Sequence, residues 1–191
     1  MADLMLLEAL AQAVIGTHGI AVAPTRIFET ASWWFLESHR FDRVGPAGRV
    51  AVSSLAAVHH DPAEGWARAA TELERDGRLD AYGARQLRWL EAFSLLMANP
   101  SRHAHHIAFF TGTRQLRLAP AYGHAPTLYA PTSDGQLPDR PFTRPAMTSD
   151  MIDVWDDARE AARMFWLEAA DDARLSEEMK RTSATNARVV G

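Results

Sequence analysis

Three histidines crowd one short stretch, His103-Ala104-His105-His106, and a fourth, His124, follows further along the chain. Neutral imidazole is a common zinc ligand, and three or four of them could hold Zn²⁺ with a position left open for water. A metal-dependent hydrolase is the chemistry such a set would support. The spacing is not the i, i+4 pair that a zincin helix carries, so a structural role for these histidines outweighs a zinc site. His59-His60-Asp61, beside Pro62, reads as a loop at a helix start, with Asp61 near the positive end of the helix dipole. Asp150, Asp153, Asp156 and Asp157 read as a solvated helix face.

These side chains must be positioned by a largely helical chain. Leu4, Leu6, Leu7, Leu10, Ala11, Val14 and Ile15 recur at helical spacing, and Gly16 and Gly19 follow where a left-handed cap is favoured. Ile20 to Phe28 and Ser32 to Phe41 are rich in β-branched and aromatic residues, which predicts a hairpin or two adjacent short strands. Gly45-Pro46-Ala47-Gly48 is a turn. Helices are expected over Pro62–Arg75 and Ala81–Ala98, with Pro100 closing the second. A second short hairpin is expected over Phe109–Leu118, and a Pro-rich surface loop from Ala119 to Pro145. Two more helices follow, about Ser149–Asp171 and Ser176–Ala187, the latter with a Ser N-cap and acids in its first turn. The fold class is mainly α with short β-hairpins (α+β).

Composition bounds the function. The chain has 191 residues, 47% of them hydrophobic and 23% charged, enough for a single domain with a real core. A net charge of −4 argues against direct nucleic-acid binding, which needs a surplus of Lys and Arg. The absence of cysteine excludes disulfides, thiolate zinc sites and cysteine nucleophiles. Met1-Ala2-Asp3 lacks the basic start of a signal peptide and no apolar run reaches membrane-spanning length, so a cytoplasmic location is expected. The basic residues are arginines except Lys180.

Three segments in order resemble the C-terminal part of HipA-family serine/threonine kinases, known from bacterial toxin–antitoxin systems. Leu36-Glu37-Ser38-His39-Arg40-Phe41-Asp42-Arg43, followed by a Gly turn and Arg49, is similar to the family's hinge. Asn99-Pro100-Ser101-Arg102-His103-Ala104-His105-His106 is similar to its catalytic loop, N-x-D-x-H-x-x-N. Leu118-Ala119-Pro120-Ala121-Tyr122-Gly123, continuing to Tyr129-Ala130-Pro131, is similar to its L-A-P-x-Y-D metal-binding segment and the Y-A-P after it. Trp66, Trp155 and Phe165-Trp166 also fall where the family carries aromatics. The resemblance covers nearly the whole chain and implies a protein-kinase-like HipA C-lobe, residues 1–191 as one domain. Residues 1–43 form a helix and hinge-proximal hairpin, and residues 44–191 the helical lobe.

The resemblance also implies ATP and Mg as cofactors, and here the sequence departs from it. Ser101 stands at the base position, where a carboxylate would accept the substrate proton. His106 stands where a magnesium-binding Asn belongs, and magnesium prefers oxygen donors. Gly123 replaces the metal-binding Asp. No Gly-rich phosphate loop or strand lysine precedes the hinge, so the N-lobe is expected to be largely missing. Glu8 could be the ion-pairing acid of the regulatory helix, but it would have no lysine to pair with.

A catalytically inactive pseudokinase that works by protein binding is therefore the leading expectation. A DNA-binding antitoxin is the partner the resemblance implies. Self-association or a partner would cover the face left by the small lobe, near Ile20, Val22 and Trp33. One alternative is the C-lobe half of a split kinase; another is a His-cluster metal protein. Backbone groups near His39 and Phe41 are the candidate adenine contacts. Trp33, Trp34, Phe35, Phe41, Trp155, Phe165 and Trp166 could line an adenine pocket, though core positions suit them better. Arg40-Phe41-Asp42-Arg43 is expected to form a buried ion-pair network pinning the hinge to the helical lobe.

Overall fold

The computed structural model describes residues 2–59, 65–132 and 140–191. His60, Asp61 and the expected helix start at Pro62 lie outside them. The first helix, α1 (Ala2–Thr17), turns its leucine stripe inward and buries Leu6, Leu7, Ala11, Val14 and Ile15. The chain leaves it at Gly19, where φ is 73°.

Residues 21–23 do not join the hairpin expected from Ile20 onward. They run beside a distant segment instead: the Ala23 N–H donates to Ala121 O at 2.9 Å, and the Ala121 N–H to Ala21 O at 2.8 Å. The hairpin itself is β1 (Thr25–Glu29) with β2 (Trp34–Ser38), antiparallel, Thr25 opposite Ser38 and Glu29 opposite Trp34. The alternation of a strand puts Ile27, Trp34 and Leu36 on the half-buried face. Phe28 and Phe35, which pair across the strands, and Trp33 at the turn are exposed. Ile20 is buried and Val22 half-buried, so of the groups expected to be uncovered only Trp33 is open to solvent.

The Gly45–Gly48 turn joins two short strands, β3 (Arg43–Val44) and β4 (Gly48–Arg49). A three-stranded antiparallel sheet then orders β5 (Val52–Ser54), β6 (Ala108–Phe110) and β7 (Arg117–Leu118) side by side. The β6–β7 pair is the expected second hairpin. Strand β5, lying ahead of the short helix α2 (Leu55–Val58), was not visible in the sequence.

Four helices make the rest of the lobe: α3 (Trp66–Arg75), α4 (Ala81–Leu96), α5 (Trp155–Asp171) and α6 (Glu177–Val190). Asp80 caps α4 by accepting the Gly83 N–H at 2.7 Å. Ser176 caps α6, and Asp3 on α1 accepts both the Ser176 N–H at 3.0 Å and its hydroxyl at 2.6 Å. The core between the helices is aromatic: Trp66, Trp89, Phe93, Phe165 and Trp166 are all buried. Burying each such ring stabilises the fold by about 3 kcal/mol. The indole N–H groups of Trp89 and Trp166 are matched, while that of Trp66 has no partner among the described residues. The Trp166 indole N–H donates to Leu96 O at 3.1 Å, and that of Trp89 to Asp157 at 2.6 Å.

Trp155, Phe165 and Trp166 therefore belong to the core, not to an adenine pocket, while Trp33 and Phe35 face outward. The acidic run is not simply solvated, since Asp157 takes the Trp89 N–H and Asp153 is bridged by Arg88 at 2.9 Å. Among the described residues no helix is long and apolar enough to cross a membrane.

Candidate functional site

The hinge-like segment leaves β2 with the His39 N–H donating to Pro24 O at 2.9 Å. That donor is spent inside the protein, so of the backbone groups considered for adenine, the His39 N–H is not free. Arg40 grips Asp42 in a bidentate pair, at 2.8 and 2.6 Å, and Arg43 lies 3.8 Å from the same carboxylate. The Arg40 hydrogen bonds hold the Asp42 carboxyl below its ordinary range. These pairs stay within the segment and at its surface; they do not reach the helical lobe as expected. Phe41 makes that connection. Its ring lies 5.9 Å edge-on to Phe110 of β6 and 5.6 Å from Tyr122. A cavity of about 460 Å³ opens here, between Ser38–Asp42, Ser53 and Ser54 of β5, Ala108 and Tyr122.

The loop after α4 turns through Ala98, a non-glycine residue at φ 61°. Asn99 organises it. Its buried side-chain oxygen accepts the Ser101 N–H at 3.1 Å and the Thr127 hydroxyl at 2.8 Å. Residues Ala104–His106 form a single 3₁₀ turn, closed by the His106 N–H donating to His103 O at 2.9 Å. The rings of His103 and His106 meet edge to face at 5.5 Å. Burial depresses the His106 pKa, and the positive potential of His103 and His105 depresses it further. Arg102 donates to Glu91, a carboxylate buried on the inner face of α4. The other Glu91 oxygen accepts the Ala67 N–H at the start of α3. Gly65 makes room for it: φ there is 98°, and an added Cβ would lie 2.7 Å from Glu91 Oε1.

The third segment closes the site. The Tyr122 hydroxyl donates to His105 O at 3.0 Å, tying the cleft to the loop. Burial raises the Tyr122 pKa, so the phenol stays protonated. Gly123 sits at φ 67°, and apart from its chain neighbours no atom of a described residue lies within 4 Å of where a Cβ would be. His124 is buried, its Nδ1 3.0 Å from the Ser94 hydroxyl and its ring edge-on to Trp66 at 5.9 Å. Among the described residues its Nε2 has no hydrogen-bond partner. Burial pushes its pKa down to about 4, and nearby His106 adds to the effect.

Three of the four predicted histidines thus share one neighbourhood with Tyr122, while His124 lies beneath it as a neutral core residue. Among the described residues no three His, Cys, Asp or Glu side chains are placed to hold a metal ion, so the imidazoles do not form a common donor set. The two positions the resemblance assigns to magnesium do not fit it either, since His106 brings a nitrogen and Gly123 no side chain. Ser101 brings a hydroxyl where the resemblance assigns a carboxylate base. Glu91 was missed in the sequence, although an acid on the Leu87–Glu91–Ser94 stripe of a helix was a readable signal of a buried partner.

A mostly helical lobe with a cleft between a hinge-like strand end and a small sheet defines a kinase-like C-lobe. The chain belongs to the HipA-like C-terminal domain family, which matches residues 1–189. It is 30% identical over 182 residues to Toxin YjjJ of Escherichia coli (strain K12), an alignment covering 93% of this chain and 41% of that protein. Two solved structures share the fold. One is HipA in the Shewanella oneidensis MR-1 toxin–antitoxin complex of HipA, HipB and operator DNA, with a TM-score of 0.60 and 14% identity over 98% of this chain and 54% of that one. The other is the Helicobacter pylori proinflammatory kinase CtkA, with a TM-score of 0.60 and 11% identity over 98% of this chain and 79% of that one. The chain thus spans about half the length of the HipA chain and less than half of Toxin YjjJ.

Proposed function

We propose that residues 1–191 act as one HipA-like unit in the cytoplasm, a pseudokinase that has lost phosphoryl transfer and works by binding a protein partner. The observation that carries this reading is the joint identity of Ser101, His106 and Gly123. A serine hydroxyl is not a useful base near neutral pH, and imidazole is a poor ligand for a hard cation. Losing one member of such a constellation costs several powers of ten in rate, and losing all three brings turnover to background. The loop that carries two of these positions is still held in shape by Asn99, Glu91 and Arg102, which suits a retained binding surface.

The HipA neighbour is seen in complex with HipB and operator DNA, so a DNA-binding antitoxin is the partner class proposed for this chain. Its net charge of −4 favours contact through the protein partner over direct contact with nucleic acid. The exposed aromatic face of the β1–β2 hairpin, with Trp33 69% and Phe35 51% exposed, supplies an apolar patch for a partner or a second copy.

Radiolabelled ATP with magnesium and protein substrates is expected to give no transfer above blank. Metal-dependent labelling that local mutation abolishes would overturn the reading. A monodisperse monomer that binds no hydrophobic dye would count against the binding role. A second reading, the C-lobe of a split kinase, draws support from the 460 Å³ cleft at the hinge. Restored labelling on adding a chain with a Gly-rich loop and a strand lysine would establish it.

A further inference from the structure

A cavity of about 640 Å³ lies apart from the hinge cleft, and among the described residues the two share no lining residue. It opens between the start of α1, one face of α6 and the stretch around Phe142. Its volume is in the range of small-molecule sites. Apolar walls come from Leu4, Phe142 and Met179.

The polar groups at this cavity point to a ligand. Tyr129 lines it and is only 8% exposed; its hydroxyl oxygen accepts the Asn186 side-chain N–H at 2.8 Å, which fixes the phenol in place. The phenol's own proton has no acceptor among the described residues, which leaves a buried donor on a residue that lines the cavity. Burial raises the Tyr129 pKa, which keeps that proton on the oxygen at neutral pH. At the rim stand Arg140 and Arg181, neither in a salt bridge with a described residue. Two acids are also present. Asp3 keeps its charge while both its oxygens accept from Ser176. With Glu178 it balances the two guanidinium groups in formal charge, so the arginines offer their N–H donors and not an excess of positive charge.

We infer that this cavity is a binding site for a small organic anion, an apolar body carrying one carboxylate or phosphate group. The apolar part would rest on Leu4, Phe142 and Met179, and the acceptor oxygens would meet the Tyr129 O–H and the rim arginines. This inference does not depend on whether the hinge cleft binds nucleotide.

The test is an amide-shift NMR titration of the whole chain with phenyl phosphate and, separately, with 3-phenylpropionate, each to about 10 mM, a range that captures weak sites. Saturable shifts at Thr182, Asn186 and Tyr129 are expected with at least one probe. Saturation by phenyl phosphate alone identifies a phosphate site, by phenylpropionate alone a carboxylate site, and by both a general anion site. Replacing both rim arginines, Arg140→Ala with Arg181→Ala, should weaken binding about tenfold. Tyr129→Phe keeps the ring and should weaken it about fivefold. If Tyr129→Phe fails to fold, the exposed arginine pair still decides the matter. Absence of saturable shifts with both probes, shifts confined to residues 38–42, or full affinity in the arginine double variant would each overturn the proposal.

Discussion

The buried imidazole of His124 makes the fold acid-sensitive over a defined window. In the unfolded chain this group titrates near 6.5, but in the folded protein it stays neutral until about pH 4. Between those values only the unfolded chain takes up the proton. The contribution of His124 is therefore complete above the unfolded value and is lost as pH falls toward the folded one. The whole gap corresponds to about 3 kcal/mol, of which about 2 kcal/mol should be gone on moving from about pH 7 to about pH 5. The groups around it act in the same sense. Ser94 and Trp66 carry no charge, and nearby His106 is itself depressed by burial. Urea unfolding at the two pH values reads the loss directly. His124→Asn keeps an amide for Ser94 and removes the titration, so it should lower stability at both values but leave a smaller slope, set by His106 and opposed by Glu8, whose carboxyl pKa burial raises. A wild-type loss below about 0.5 kcal/mol, or an undiminished loss in His124→Asn, would refute the reasoning.

Other perturbations follow from the site. Glu91→Ala strands Arg102 and the Ala67 N–H, and should cost about 3–5 kcal/mol in chemical denaturation. Gly123→Asp should fold with a penalty of about 1 kcal/mol by thermal melting, because its left-handed backbone is one that Asp tolerates and open space surrounds the new Cβ. Phe41→Ala removes two aromatic contacts of about 1 kcal/mol each, and should raise amide exchange across residues 38–43. Trp166→Phe leaves Leu96 O without its buried donor, a loss of about 1–3 kcal/mol in urea unfolding.

The helices were readable because their apolar stripes repeat at helical spacing: α1 carries seven such residues within its first four turns, and Ser176 announces α6. The first hairpin was readable from its aromatic and β-branched runs, and the second from the Thr111-Gly112 turn. Strand β5 was not, because Val52-Ser53-Ser54 has one apolar residue and becomes a strand only by pairing with Ala108–Phe110. Residues 21–23 look like the first strand of the hairpin in the sequence, yet their partner is Ala121, a contact that no local pattern encodes. At the site, motif order pointed to three segments that the fold brings together through Phe41, Tyr122 and His105. The charges of residues 40–43 were visible, but not the direction they face. The sequence therefore assigned to an ion-pair network the anchoring that Phe41 performs.

The doubly engaged carboxylate of Glu91 has a mechanical consequence. One oxygen holds the first turn of α3 and the other holds the 99–106 loop, so the two stretches are fastened to the same rivet and cannot fray separately. The bare backbone of Gly65 leaves the socket for that rivet. Any bulkier residue there would lever the carboxylate out and slacken both stretches at one stroke, although neither touches the other in sequence.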